Sequence, residues 1–252
     1  VYMCGVNGLY PHQDDGFILD AMERLRQLPS DPVLCIHAEN TFIVDRAAQK
    51  LEGQPMADLE QWRRTHPNIA EGEAVLRSAY LSKKTGVRAY VVHQSCKESM
   101  EVLEQAKHQR LFVETTSPYL TRDTSSKVGA YGKMLPPFRE PESRLALWNG
   151  IRRGLIDTIG TDNVTMTAAE KKAGQGMAGA DAGYPALGTH LASVLDEGFF
   201  RQGLPLEMLV PLMTMNPAKI FGVYPQKGTL LPGADADIVI VDMETPRRVE
   251  PR

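Results

Sequence analysis

The sequence predicts an α/β fold in which a parallel sheet is covered by helices. Three observations lead there. Short apolar runs lie at residues 33–36, 87–92, 111–113 and 156–160, and segments with helical spacing separate them. This βαβα alternation is the signature of parallel strands joined by crossover helices. The first run, Val33-Leu34-Cys35-Ile36, is continuous rather than alternating, as expected of a strand buried on both faces. Four βα units, preceded at residues 1–3 by the tail of another strand, amount to half of a (β/α)8 barrel. An open doubly wound sheet fits the same alternation, but no GxGxxG or P-loop pattern supports a nucleotide-binding version of it.

Each element has its own warrant. Phe17, Ile18, Ala21, Met22 and Leu25 recur at helical spacing over residues 14–28, and Pro29 and Pro32 bracket the end of that helix. A polar helix is predicted over residues 42–52 and another over 70–85, where Ala74, Val75, Ala79 and Leu81 are apolar positions. Residues 97–108 and 143–153 read as helices. Residues 117–142, containing Gly, Pro and Ser, are long enough to be a functional loop. A Gly/Ala-rich loop over 173–188 precedes helices at 190–197 and 206–213. From Gly228 the texture changes. A Pro-Gly turn followed by Ile238-Val239-Ile240-Val241 predicts two short strands outside the α/β repeat. The chain therefore divides into a barrel portion, residues 1–222, and the start of a small β domain, residues 223–252.

Composition narrows the partners. A net charge of -3 over 252 residues gives no basis for binding nucleic acid or an anionic membrane. No apolar run approaches the roughly 20 residues that span a bilayer. The N-terminal residues lack the basic start and apolar stretch of a signal peptide. Cys4, Cys35 and Cys96 form no CxxC pair, so reduced thiols and a cytoplasmic setting are expected. Both ends read as cut from a longer chain.

The residues that close the strands carry the chemistry. The first run ends in His37, the second in His93 and the fourth in Asp162. In a parallel barrel every strand opens at its C-terminal end on the same face, so these three would converge. Two imidazoles and a carboxylate suit a catalytic divalent ion such as zinc. A metal acidifies water into a nucleophile, and a carboxylate beside it can carry the proton to a leaving nitrogen. Against this stands the ordinary reading of each residue, a hydrogen-bonded strand-end His or an Asp that caps a helix. Glu39 and Asn40 either support His37 or cap the next helix. Cys96 is assigned to packing. His12, His66, His108 and His190 are assigned to the surface.

CIHAEN around His37, YVVHQS around His93, KMLPPFRE at residues 133–140, IGTDN around Asp162 and NPAKIFGVYPQKGTLLPGADADIVIVD at 216–242 together resemble the hydantoinase, dihydropyrimidinase and allantoinase branch of the amidohydrolase superfamily. The resemblance covers nearly the whole chain. It implies an amidohydrolase (β/α)8 barrel entered at the end of its fourth strand and followed through the eighth into a β-sandwich. It implies two divalent ions, usually zinc, sharing a bridging hydroxide and a carboxylated lysine, which is expected just upstream of Val1. His37 and His93 would hold one ion. Asp162 would hold the other and shuttle the proton. The hydroxide would open a cyclic amide, such as a hydantoin or dihydropyrimidine, to a linear carbamoyl or ureido acid. Leu135, where the family often has Ser, and Asp181 would contact substrate through the backbone. Homotetramers are also implied.

Some family features are absent. The HxH pair and the lysine are not in this chain, so the chain alone is expected to be inactive and unstable. Gly5 stands where hydantoinases often carry a substrate-holding Tyr. Competing readings are a non-catalytic dihydropyrimidinase-related scaffold, an allantoinase or dihydroorotase, and a mononuclear deaminase using Glu98. The presence of His93 and Asp162 favours an enzyme over the scaffold.

Overall fold

A computed structural model describes residues 1–5 and 10–245. Residues 246–252, which the sequence places in the second domain, lie outside it. The framework is one parallel sheet, β1 (Val33–Ile36), β2 (Arg88–Val91), β3 (Leu111–Thr116) and β4 (Thr158–Gly160), in the order β1-β2-β3-β4. Tyr2 bridges His37 in parallel, flanked by bonds from Met3 N–H to His37 O and from His37 N–H to Val1 O, both 3.0 Å. The predicted strand tail at residues 1–3 thus sits beside β1. The strand order never reverses. That excludes the switch point of a doubly wound sheet and matches the winding of a barrel wall.

Burial alternates along the first four residues of β3. On β3, Leu111 and Val113 are buried while Phe112 and Glu114 between them are half-buried. Cys35, Tyr90 and Phe112 are register partners, so they share the inner face. Cys35 is exposed there, and β1 is therefore not buried on both faces, contrary to the expectation from its apolar run. Period-two burial with one covered face had the same local composition as a doubly covered strand.

Helices pack the outer face. In α1 (Asp15–Arg26) the Asp14 side chain caps the Phe17 N–H at 2.8 Å, and Ile18 and Met22 are buried. Asn40 caps α2 (Thr41–Lys50) through the N–H groups of Phe42 and Ile43, which settles its role. A short α3 (Leu59–Arg63) follows, with its Asp58 cap. The long α4 (Asn68–Thr85) ends at Gly86 in the left-handed region. It lies against α5 (Lys97–Ala106), and a Cβ at Gly72 would meet the Glu98 Cβ at 3.2 Å, so the helices approach closely there.

The predicted loop at 117–142 is partly structured. It holds α6 (Ser117–Thr121) and a 3-10 turn, Gly129–Gly132. Pro118 in the first turn of α6 is compatible with helix. Helix α7 (Pro141–Arg152) starts on a proline and buries Leu147, Trp148 and Ile151. After β4 come α8 (Ala168–Lys171), α9 (Gly176–Gly179) and α10 (His190–Val194), the last running into a π-helical segment, Leu195–Arg201. Then α11 (Leu206–Met213) and α12 (Met215–Ile220) follow. The NPAKIFG motif has a structural task here. Asn216 donates to Asp157 O at 2.8 Å and ties α12 to the strand leading into β4.

The two strands predicted after Gly228 are absent among the described residues. Ile238, Val239 and Ile240 are exposed and have no neighbouring strand. A strand needs a partner for its N–H groups, and apolar alternation alone does not supply one. No helix of the described residues is long and apolar enough to cross a membrane. Cys4, Cys35 and Cys96 are all free.

Trp148 is the largest fully buried side chain, and its Nε1–H donates to Leu120 O at 3.0 Å. Trp148→Ala should cost about 3–5 kcal/mol, because it leaves a cavity and an unpaired carbonyl. The midpoint of urea unfolding measures this.

Candidate metal centre

His37 and His93 sit just past the C-terminal ends of adjacent strands. The register that pairs Ile36 with Val91 brings the two imidazoles together. His37 Nδ1 and His93 Nε2 are 2.9 Å apart, with the ring planes near perpendicular. Both residues are buried. His37 Nε2 faces Glu39 Oε2 at 3.2 Å, so of the two roles open to Glu39 it takes the one supporting His37. His93 Nδ1 is buried with no hydrogen-bond partner.

The backbone at His93 is unusual. Its φ is +44°, and Asp162 has φ +45°. Asp31 and Lys172 are the other non-glycine residues with positive φ among those described. That conformation carries a steric cost and persists where surrounding structure enforces it. At His93 the enforcing group is Glu114. Its carboxylate accepts the His93 N–H at 3.0 Å, and its carbonyl accepts the Gln94 N–H at 2.7 Å. Thr115 Oγ1 donates to Gln94 O at 2.7 Å. Gly160, beside Glu114 on the next strand, leaves room for that carboxylate; a Cβ there would overlap it.

Asp162 follows β4 and is exposed. Its charge is felt at His93, Glu114, Tyr2 and Tyr119. It therefore shares the mouth with the two histidines without touching them. Among the described residues no three His, Cys, Asp or Glu side chains gather closely enough to form a complete cation site. The histidine pair nonetheless fits a metal. Two nitrogens on one tetrahedral zinc lie roughly 3.3 Å apart, from Zn–N bonds of about 2.0–2.1 Å. Burial, reinforced by His37, lowers the His93 pKa and keeps the imidazole in its neutral, ligating form.

The two candidate substrate residues lie apart in character. Leu135 sits between two pinned carbonyls: Met134 O accepts from Trp62 Nε1 at 2.9 Å, and Pro136 O accepts from the Tyr119 hydroxyl at 2.6 Å. Asp181 is exposed, and its carboxylate pairs with Lys172 at 2.8 Å. Its loop closes over Lys171, whose ammonium donates to Lys133 O and Gly183 O at 2.6 Å each.

Behind the histidines lies a buried ionic network. Arg139, from the KMLPPFRE motif, is 2% exposed. Its Nη2 meets Glu71 at 3.1 Å and Glu39 at 3.5 Å, and its Nε donates to Ser95 Oγ at 2.8 Å. Its Nη1 donates to His66 O. Glu71 also accepts from the N–H groups of Ser95 and Cys96 and from the Ser99 hydroxyl. The sequence reading had no role for Glu71, Ser95 or Glu114. One signal was available for Glu71: it falls on the same helical stripe as Val75, Ser78 and Ser82, all buried.

Three of the histidines assigned to the surface are not there. His66 is buried, its Nδ1 bonded to Thr65 Oγ1 at 2.7 Å. His108 and His190 are half-buried, bonded to Ala79 O and Ser117 Oγ. His12 is exposed as expected. Cys96 packs, with its Sγ near Asn68 O and Ser99 Oγ.

The amidohydrolase family model matches residues 64–251. The chain belongs to the amidohydrolase family. It is 33% identical to L-hydantoinase of Paenarthrobacter aurescens, over 97% of this chain and 54% of that protein. It is 30% identical to an allantoinase of Deinococcus radiodurans, over 94% of this chain and 56% of that one. The solved L-hydantoinase (dihydropyrimidinase) from Arthrobacter aurescens superimposes with a TM-score of 0.86 at 32% identity, covering 93% of this chain and 53% of that one. This amidohydrolase chain thus spans about half the length of the curated relatives it matches, and the resemblance read from its motifs is borne out.

Two outcomes test this amidohydrolase's site architecture. Gly160→Ala should destabilise by about 1–3 kcal/mol, because the added methyl competes with the Glu114 carboxylate; thermal unfolding reads it. Burial, offset in part by Glu39, pushes the His66 pKa from 6.5 down to about 4. The unfolded chain then takes up that proton first, so stability present at pH 7 is lost as pH falls from 6.5 toward 4. Between pH 7 and pH 5 the wild type should lose about 2 kcal/mol more than His66→Gln in urea unfolding.

Proposed function

We propose that this chain contributes to the active site of a metal-dependent hydrolase that opens a cyclic amide, of the hydantoin, dihydropyrimidine or related cyclic ureide class, to a linear N-carbamoyl or ureido acid. The observation carrying this reading is the His37–His93 pair: two buried imidazoles 2.9 Å apart at the C-terminal mouth of parallel strands, one with an unpartnered ring nitrogen. Similarity to hydantoinases and an allantoinase supports the choice of cyclic amides.

His37 Nδ1 and His93 Nε2 are the atoms that would hold the cation. A divalent ion there would supply Lewis acidity, polarising a ring carbonyl and making water a stronger acid. Asp162, exposed at the same mouth, takes the proton released from attacking water and delivers it to the leaving ring nitrogen. The backbone at Leu135, held between the anchored carbonyls of Met134 and Pro136, orients the ring. The Asp181 backbone is a second contact in the same reading. By resemblance two divalent ions, usually zinc, would be held with the help of a carboxylated lysine, and the protein would be a cytoplasmic homotetramer. His93→Ala in the full-length protein should abolish zinc-dependent opening of hydantoin, dihydrouracil and allantoin while leaving the circular dichroism spectrum unchanged. Turnover of any of the three at the wild-type rate would refute the assignment.

A further inference from the structure

The Arg139 network contains two carboxylates and one guanidinium, all within 2% of full burial. A buried charge is costly unless something neutralises it. Arg139 balances one of the two. Glu71 is saturated by its own donors, the Ser95 and Cys96 N–H groups, the Ser95 and Ser99 hydroxyls and Arg139. Glu39 has fewer partners, Arg139 at 3.5 Å on one oxygen and His37 Nε2 at 3.2 Å on the other. The Glu39 carboxylate thus lies at the back of the His37 ring, against Nε2, while Nδ1 faces His93.

A carboxylate there fixes the ring twice over. It accepts the Nε2 proton, which leaves Nδ1 as the lone-pair nitrogen, and it sets the rotation that aims Nδ1 at His93 Nε2. Arg139 in turn holds Glu39 in place. It is anchored by Glu71 on α4, by Ser95 after β2 and by the His66 carbonyl, so the carboxylate is braced from three separate elements.

We propose that Arg139 is a positioning residue for the metal centre: it holds the Glu39 carboxylate, and Glu39 in turn orients the His37 ring toward a cation shared with His93. This rests on the reading of those histidines as ligands. It gives the arginine of the Pro-Pro-Phe-Arg motif a task distinct from substrate contact.

The test is zinc affinity of the full-length protein, stripped and titrated against a chromophoric chelator, with the visible spectrum of the cobalt(II) form as second readout. Glu39→Gln and Arg139→Met should each weaken zinc binding about 10- to 100-fold. Both should also alter the cobalt spectrum at unchanged circular dichroism, and Arg139→Lys should recover part of the loss. Wild-type zinc affinity and cobalt spectrum in Glu39→Gln would overturn the proposal. If Arg139→Met fails to fold, Glu39→Gln decides, because it removes the charge without changing shape. His37→Ala and His93→Ala run alongside. Unchanged zinc affinity in both defeats the ligand reading itself, whereas loss there with none in Glu39→Gln defeats only the positioning role.

Discussion

One buried guanidinium organises the strand-end mouth of this molecule. Arg139 leaves the loop before α7 and reaches α4, the turn after β1, the turn after β2 and the carbonyl that precedes Pro67. These segments are distant in sequence and share no strand pairing at that level. Hydrogen bonds from a rigid planar fork fix their relative positions in a way that apolar contact, which is non-directional, cannot. Removing one partner would leave the others buried and unpaired, so the network holds or fails as a unit.

The sheet supplies the other half of the geometry. Because the strand order never reverses, every strand ends on one face, and whatever follows β1, β2 and β4 is delivered to a common mouth. The turn after β2 then has to bend sharply for His93 to face His37. Glu114 enforces that bend from the neighbouring strand, and Gly160 on the strand beyond yields the space for it. The histidine pair is thus built across four strands, although only two of them lead into a histidine.

Much of this was legible in the sequence. The strand runs, the helices at 70–85, 97–108 and 206–213, and the residues at strand ends are all set by local pattern, and local pattern is what a sequence displays. The motif around His37 and that around His93 gave the pair directly. What stayed hidden depends on long-range contact. Glu71 looks like any helix-surface glutamate until Arg139 is placed against it. His66 lies in a polar stretch and becomes buried only when α3 and the 133–140 loop close over it. The apolar run at 238–241 reads as a strand because composition cannot say whether a neighbouring strand is at hand. The exposed Cys35 shows the reverse error, since a continuous apolar run does not say how many faces are covered.

The left-handed backbone at His93 and Asp162 bears on what a substitution does there. Side chains with a Cβ are strained there, whereas Gly has no such cost and Asn tolerates the region well. At these two positions the demands of chemistry and of backbone comfort are opposed. Gly at either position would therefore ease the main chain while taking an imidazole or a carboxylate away from the mouth.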